Sequence, residues 1–229
     1  MKFDGNTLNN IVVQKIRRGT PPVENERQSI PGKSGSLQVR STHGDRSLEV
    51  DVAIIGTSRS DYLTKVATLM GQLYSTEEKD ILLDDETFVY KGILDGSTNF
   101  NEMAIDGSGT LKFICQPDKV GSKKTSTDGT DTNAGSVPCP VKITLTLTAG
   151  ETDDIVVSLG GTPKITIEGP FDNEDVIVIE DSYVTLNGAS AMAKVLVSSE
   201  FFELPKGAFV IATDSVNVSI GLEWYELWL

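Results

Sequence analysis

Histidine is almost missing from this chain of 229 residues, and His43 is its sole representative. A Ser-His-Asp relay or a transition-metal site would have to be built on it, yet "STHGD" offers no second His and no Cys at ligand spacing. The Gly-x-Ser-x-Gly elbow is also missing, since "GKSGS" at 32–36 and "GTSRS" at 56–60 both lack the second glycine. Cysteine is scarce: Cys115 and Cys139 are too few for a disulfide framework. Cys115 alternates with Leu111 and Phe113 on an apolar strand face, and a buried free thiol is expected there. No stretch approaches the ~20 apolar residues of a membrane span, and the charged start "MKFDG" leads into no apolar run. A soluble chain made in a reducing compartment is expected. Positive charge is short as well, with 20 Lys and Arg against 33 Asp and Glu. Residues 1–120 carry 17 acids and 14 bases, and residues 121–229 carry 16 and 6. Without a basic patch, neither specific nucleic-acid binding nor an anionic membrane partner is expected.

One stretch mimics a nucleotide site. Gly32-Lys33-Ser34 resembles the end of a phosphate-binding loop, but Arg27 stands where the first glycine belongs. The residues after it, "SLQVRS", alternate as in a half-buried strand and open no helix to hold an anion. Pro31 and Gly32 suit the centre of a type II turn, with Pro presetting φ and Gly accepting a positive φ.

What is present is mainly strand. Leu48, Val50, Val52 and Ile54 alternate with polar neighbours, predicting a strand with one buried face. Arg18 to Ser29 is polar and contains Pro21 and Pro22, so an exposed arm is expected. One segment switches to helical spacing: Leu63, Val66, Ala67, Met70, Leu73 and Tyr74 predict a helix over about 61–74, capped by Ser58 or Ser60. Residues 117–137 hold almost no large apolar side chain and read as a polar linker. Beyond them, alternation through Ile143, Leu145 and Leu147 and through Val216, Val218, Ile220, Leu222 and Trp224 predicts a β-sandwich. The expected organisation is a mainly β fold with one short helix: a domain over 1–116, the linker over 117–137, and a sandwich over 138–229.

Acid runs at Asp84-Asp85-Glu86, Asp172-Asn173-Glu174-Asp175 and Glu180-Asp181 read as solvated turns. Sequence adjacency supplies neither the separation nor the burial that glycoside hydrolysis demands. The run at 172–175 has hard oxygen ligands suited to Ca²⁺ but lacks the Asp-x-Asp-x-Asp-Gly loop. Of the C-terminal aromatics Trp224, Tyr225 and Trp228, which could stack a sugar if exposed, Trp224 falls on the apolar face and Trp228 is the better candidate for an exposed contact. No catalytic, cofactor-binding or metal-binding residue is assigned.

The order of features resembles a known family. Phe3-Asp4-Gly5, the Pro-Gly-x-x-Gly turn at 31–35, "RSLEVDVAIIG", "LMGQLYS", "ILLDDETFVYKGILDGSTNF" and "GSGTLKFIC" together resemble the N-terminal domain of the distal tail (Dit) proteins of phages with long, non-contractile tails. "TPKITIEGPF", "YVTLNG" and "FELPKGAFVIATDSVNVSIGLEW" resemble that family's second, galectin-like domain. The resemblance implies a non-enzymatic virion protein without cofactors, made in the host cytoplasm. It implies a ring, commonly a homohexamer, joining the tail tube protein to the tail tip or baseplate around a channel for DNA. Its outer domain often holds receptor-binding devices. Two other functions fit less well: a carbohydrate-binding adhesin of the tail tip, and a cell-wall hydrolase.

Overall fold

Residues 46–55 set the pattern of the first half of the molecule. Leu48, Val50, Val52 and Ile54 are completely buried, while the alternate positions Glu49, Asp51 and Ala53 are only partly covered. A two-residue period leaves such a strand no choice but to turn one face inward. The computed structural model describes residues 1–229, which form two compact units, Met1–Val120 and Gly121–Trp228.

The first unit contains β1 (Lys2–Phe3), β2 (Asn6–Thr7), β3 (Val12–Arg18), β4 (Val23–Ser29), β5 (Ser36–His43), β6 (Arg46–Ile55), helix α1 (Arg59–Leu73), β7 (Lys79–Leu82), β8 (Val89–Leu94), β9 (Phe100–Glu102) and most of β10 (Asp106–Ser126). Its sheet runs β3-β6-β10-β8-β7-β1-β2, with β9 also on β10, and every strand pairing in it is antiparallel. Strands β4 and β5 stand apart as a two-stranded sheet of their own. Ser58 caps α1, its Oγ accepting from the Asp61 N–H at 3.1 Å. The helix begins two residues before the expected start, and its buried stripe is rotated from the expected one. Tyr62, Leu69 and Leu73 enter the core, with Val66 and Met70 packed beside them, whereas Leu63 and Tyr74 are exposed. Tyr62 and Leu69 complete an i, i+4, i+7, i+11 series with Val66 and Leu73, so the true stripe is as regular as the one expected.

The second unit adds β11 (Thr130–Asn133), β12 (Val141–Leu147), β13 (Ile155–Leu159), β14 (Lys164–Ile167), β15 (Val176–Glu180), β16 (Tyr183–Leu186), β17 (Ala189–Ser190), β18 (Gly207–Thr213) and β19 (Val218–Trp228). One sheet runs β17-β16-β15-β12-β19 and continues to the 121–126 end of β10; the other runs β11-β18-β13-β14. Ile143, Leu145, Ile177 and Leu222 from the first share one core with Val157, Ile167 and Ile211 from the second. Phe209 and Trp224 meet across that core edge to face, with centroids 5.4 Å apart.

Residues 117–137, expected as a polar linker, are mostly strand: they hold the end of β10 and all of β11. Composition misled there because these strands are held by backbone pairing and cross-strand charge rather than by apolar burial. Lys123 pairs with Glu223 at 2.9 Å, and Lys124 lies 3.9 Å from Glu226. Buried Asn133 ties the next bend, accepting from the Gly135 N–H and donating to the Val137 carbonyl. Val216, expected on the inner face of the last strand, precedes β19 and is exposed.

Candidate assembly surface

The arm formed by β4 and β5 is the part of the chain that its own fold leaves uncovered. Every residue of β4 is exposed, and so is every residue of β5 except the half-buried Thr42. The tip is the expected type II turn: the Lys33 N–H donates to the Ile30 carbonyl at 3.1 Å, and Gly32 takes φ +80°. The turn leads into strand β5 and opens no helix, so it has none of the geometry of a phosphate-binding loop. Leu37 and Val39, expected in a half-buried strand, are each 55% exposed; Val23 is 57% and Ile30 42% exposed. Alternation predicted the strand correctly, but nothing in this chain supplies the covering layer. Register shifts between Glu26 and Arg27, giving β5 an extra residue at Val39. His43, expected in a turn, is the last residue of β5, opposite Val23.

The arm's root is tied down where its length is not. At its base the Gly19 N–H donates to the Ser47 carbonyl at 2.8 Å, and the Gly44 N–H to the Pro22 carbonyl at 2.9 Å. Just before it, at the end of β3, two consecutive arginines point to opposite faces of the strand, as its period requires. Arg17 grips Asp51 through both terminal nitrogens at 2.6 and 2.8 Å and reaches Glu49 through Nε at 2.9 Å. Asp51 also accepts from the Thr110 hydroxyl at 2.7 Å. Arg18 holds both oxygens of Asp85, at 2.6 and 2.7 Å, and Glu86 through Nε at 3.0 Å, while Tyr90 donates its hydroxyl to Glu86 at 2.7 Å. Hydrogen bonds from Arg17 hold the Asp51 and Glu49 carboxyls below their usual range, and those from Arg18 do the same for Asp85. Sequence reasoning missed this clamp: Asp85 and Glu86, read as a solvated turn, lie 67 and 68 residues from Arg18. No local pattern connects them. Edge strand β3 pairs with β6 alone, so its other side presents unpaired backbone groups.

The remaining candidates are scattered. Cys115 and Cys139 are both buried free thiols, and burial pushes their pKa values up to about 12 and about 11. Trp224 is buried in the sandwich core and cannot stack an external ligand, Trp228 is half-buried, and Tyr225 is exposed. In the 172–175 turn, Asp175 is occupied by the Asp172 N–H and the Asn187 side chain. No group of three or more His, Cys, Asp or Glu side chains could hold a metal ion, and no helix is long and apolar enough to cross a membrane.

Comparison with known proteins adds a decisive observation. Residues 4–115 match the phage tail protein RIFT-related domain, and residues 134–228 match the siphovirus-type tail component, C-terminal domain. The two parts of the chain thus each carry a domain of a phage tail family. The chain is a distal tail protein, a structural part of the phage tail. The fold is similar to the crystal structure of SPP1 Dit, described as a paradigm of the hub adsorption apparatus in phages infecting Gram-positive bacteria. That likeness has a TM-score of 0.85 at 20% identity and covers 99% of this chain and 98% of that one. The baseplate of phage p2 in its activated conformation, solved with Sr and with Ca, is also similar. The TM-scores are 0.52 and 0.50, at 8% and 7% identity, each covering 95% of this chain and 90% of the other. No curated protein sequence matches the chain.

Proposed function

We propose that this distal tail protein forms a homohexameric ring that joins the tail tube to the tail tip or baseplate around a DNA channel, and that it performs no catalysis. The observation that carries the reading is the β4–β5 arm: a two-stranded hairpin is marginal in water by itself, and this one exposes four apolar side chains on a clamped root. Such an arm gains its stability by lying on a neighbouring subunit or on the tube, and a head-to-tail contact of that kind closes into a ring when its rotation divides a full turn evenly, as the hexamer requires. The edge of β3 offers a second place for strand addition. A DNA conduit does better without cationic traps, and residues 1–120 carry no excess of positive charge. The two facing sheets of the second unit support the galectin-like reading, with that unit placed outward to carry other tail-tip components. Assembly in the host cytoplasm and delivery in the virion accord with this role.

Light scattering on the purified chain tests the ring. A particle mass of about six times 24.7 kDa is expected, reverting toward the subunit mass when residues 23–43 are replaced by a short Gly-Ser linker. Equal assembly with and without the arm would reject its proposed role.

A further inference from the structure

Beside the turn between β15 and β16 lies a cavity of about 470 Å³, contained in the second unit. Its floor is apolar and belongs to the sandwich core: Ile143, Ile165 and Ile179 are all buried. Half-buried Phe201 and Phe202 form an aromatic wall, and exposed Asp181, Ser182 and Glu203 supply the polar atoms. The volume lies in the range of small-ligand sites.

The chemistry of the lining selects the ligand. No Asn, Gln, His, Lys, Arg or Trp lines the cavity, so the Ser182 hydroxyl is its one side-chain donor, against two carboxylates that only accept. A sugar hydroxyl both gives and takes hydrogen bonds and would leave its acceptor half unmatched. A phosphate or carboxylate would be repelled. A guanidinium, with five N–H donors and no acceptor, matches an acceptor-only rim, stacks on aromatic faces and lays its methylene stem along an apolar floor. Neither carboxylate is spent internally: Lys142 pairs with neighbouring Glu180 at 3.1 Å, while no cation of this chain lies within ion-pair distance of Asp181 or Glu203. The turn presenting Asp181 and Ser182 also holds both in positive φ, +48° and +61°, where Asn-Gly would sit without strain.

We infer that this cavity is a socket for a basic side chain, arginine before lysine, projecting from a protein partner that docks on the second unit. The identification of that partner as a tail component rests on the hub reading; the socket itself does not.

The test is an amide chemical-shift titration of the full chain with N-acetyl-arginine-N-methylamide, its lysine and citrulline counterparts, and methyl glucoside. The arginine probe should shift the Ser182, Phe201, Phe202 and Glu203 amides saturably at roughly millimolar concentration. Lysine should bind several-fold more weakly, and the neutral isostere citrulline at least tenfold more weakly. The shape-preserving pair Asp181→Asn and Glu203→Gln should weaken arginine binding at least tenfold while leaving the rest of the spectrum in place. If that variant loses its spectral dispersion, salt provides the same discrimination, because raising NaCl from about 0.05 to about 0.5 M should weaken arginine and not citrulline. Equal arginine and citrulline binding, absence of saturation, or saturation by the glucoside overturns the proposal. The titration reads the socket whether the chain is a single subunit or part of a ring, so its failure would leave the ring intact as a hypothesis, and failure to form rings would leave the socket result standing.

Discussion

Replacing Leu37 and Val39 by serine separates the two roles an exposed strand can have. Each residue is 55% exposed in the isolated chain, so nearly half of its burial is already achieved and about half remains to be gained. Fully burying a Leu or Val is worth about 1.5–3 kcal/mol relative to leaving it exposed, so covering the remainder contributes about 1 kcal/mol per residue. The double variant should therefore lose about 2 kcal/mol per arm contact, a ~30-fold weaker association constant, and about 12 kcal/mol over six contacts in a ring. The subunit itself should barely notice, because exposed substitutions usually fall within about 0.5 kcal/mol each, so the pair should change Tm by no more than about 4 °C for a chain of this size. Light scattering across a hundredfold concentration series reads the first quantity, and calorimetry at concentrations where parent and variant are both single subunits reads the second, since assembly raises the apparent Tm by mass action. A ring-to-subunit balance that matches the parent at every concentration would refute the covered-arm reasoning. So would a Tm lowered by more than about 4 °C, since that would mean the two residues support the subunit's own fold.

The clamp, the sheet and the buried thiols each set a further outcome. Asp51, Glu49 and Asp85 have folded-state pKa values below their unfolded ones, so their contribution is fully present above about pH 4 and is lost as acid takes the pH below that range. Amide exchange at Arg17 to Gly19 should accelerate there relative to the sandwich core, and uniform exchange would contradict the clamp. Gly92→Ala should destabilise by about 2–3 kcal/mol through overpacking, because a Cβ would sit 2.5 Å from the Cys115 sulfur and 2.6 Å from the Ile114 carbonyl oxygen; an unchanged Tm would refute the tight β8–β10 approach. With thiol pKa values of about 12 and about 11, Cys115 and Cys139 should resist an aromatic disulfide reagent at about pH 8 and react fully in denaturant. Rapid reaction of the folded chain would show that one of these sites opens.

Period-two alternation made the strands legible wherever the chain covers its own apolar face, as along Leu48 to Ile54 and Leu111 to Cys115. It failed to say who covers Leu37 and Val39, because alternation encodes a face and not the identity of the layer against it. The 117–137 segment was hidden for the opposite reason: its strands are stabilised by Lys123–Glu223 and by backbone pairing, neither of which leaves a hydrophobic trace. Arg18 and Asp85 become neighbours only through the sheet topology, and the Phe201–Glu203 segment meets the Asp181 turn in the same way. The tip of the arm was readable from Pro31-Gly32 because turn chemistry is local.

Gold-labelled antibody against the second unit, imaged on intact virions that carry this chain, addresses the hub claim most directly. The account predicts label confined to the tail end distal to the capsid, around a six-fold ring in averaged images. Label along the tube, label on the capsid, or a single eccentric copy at the tip would contradict it.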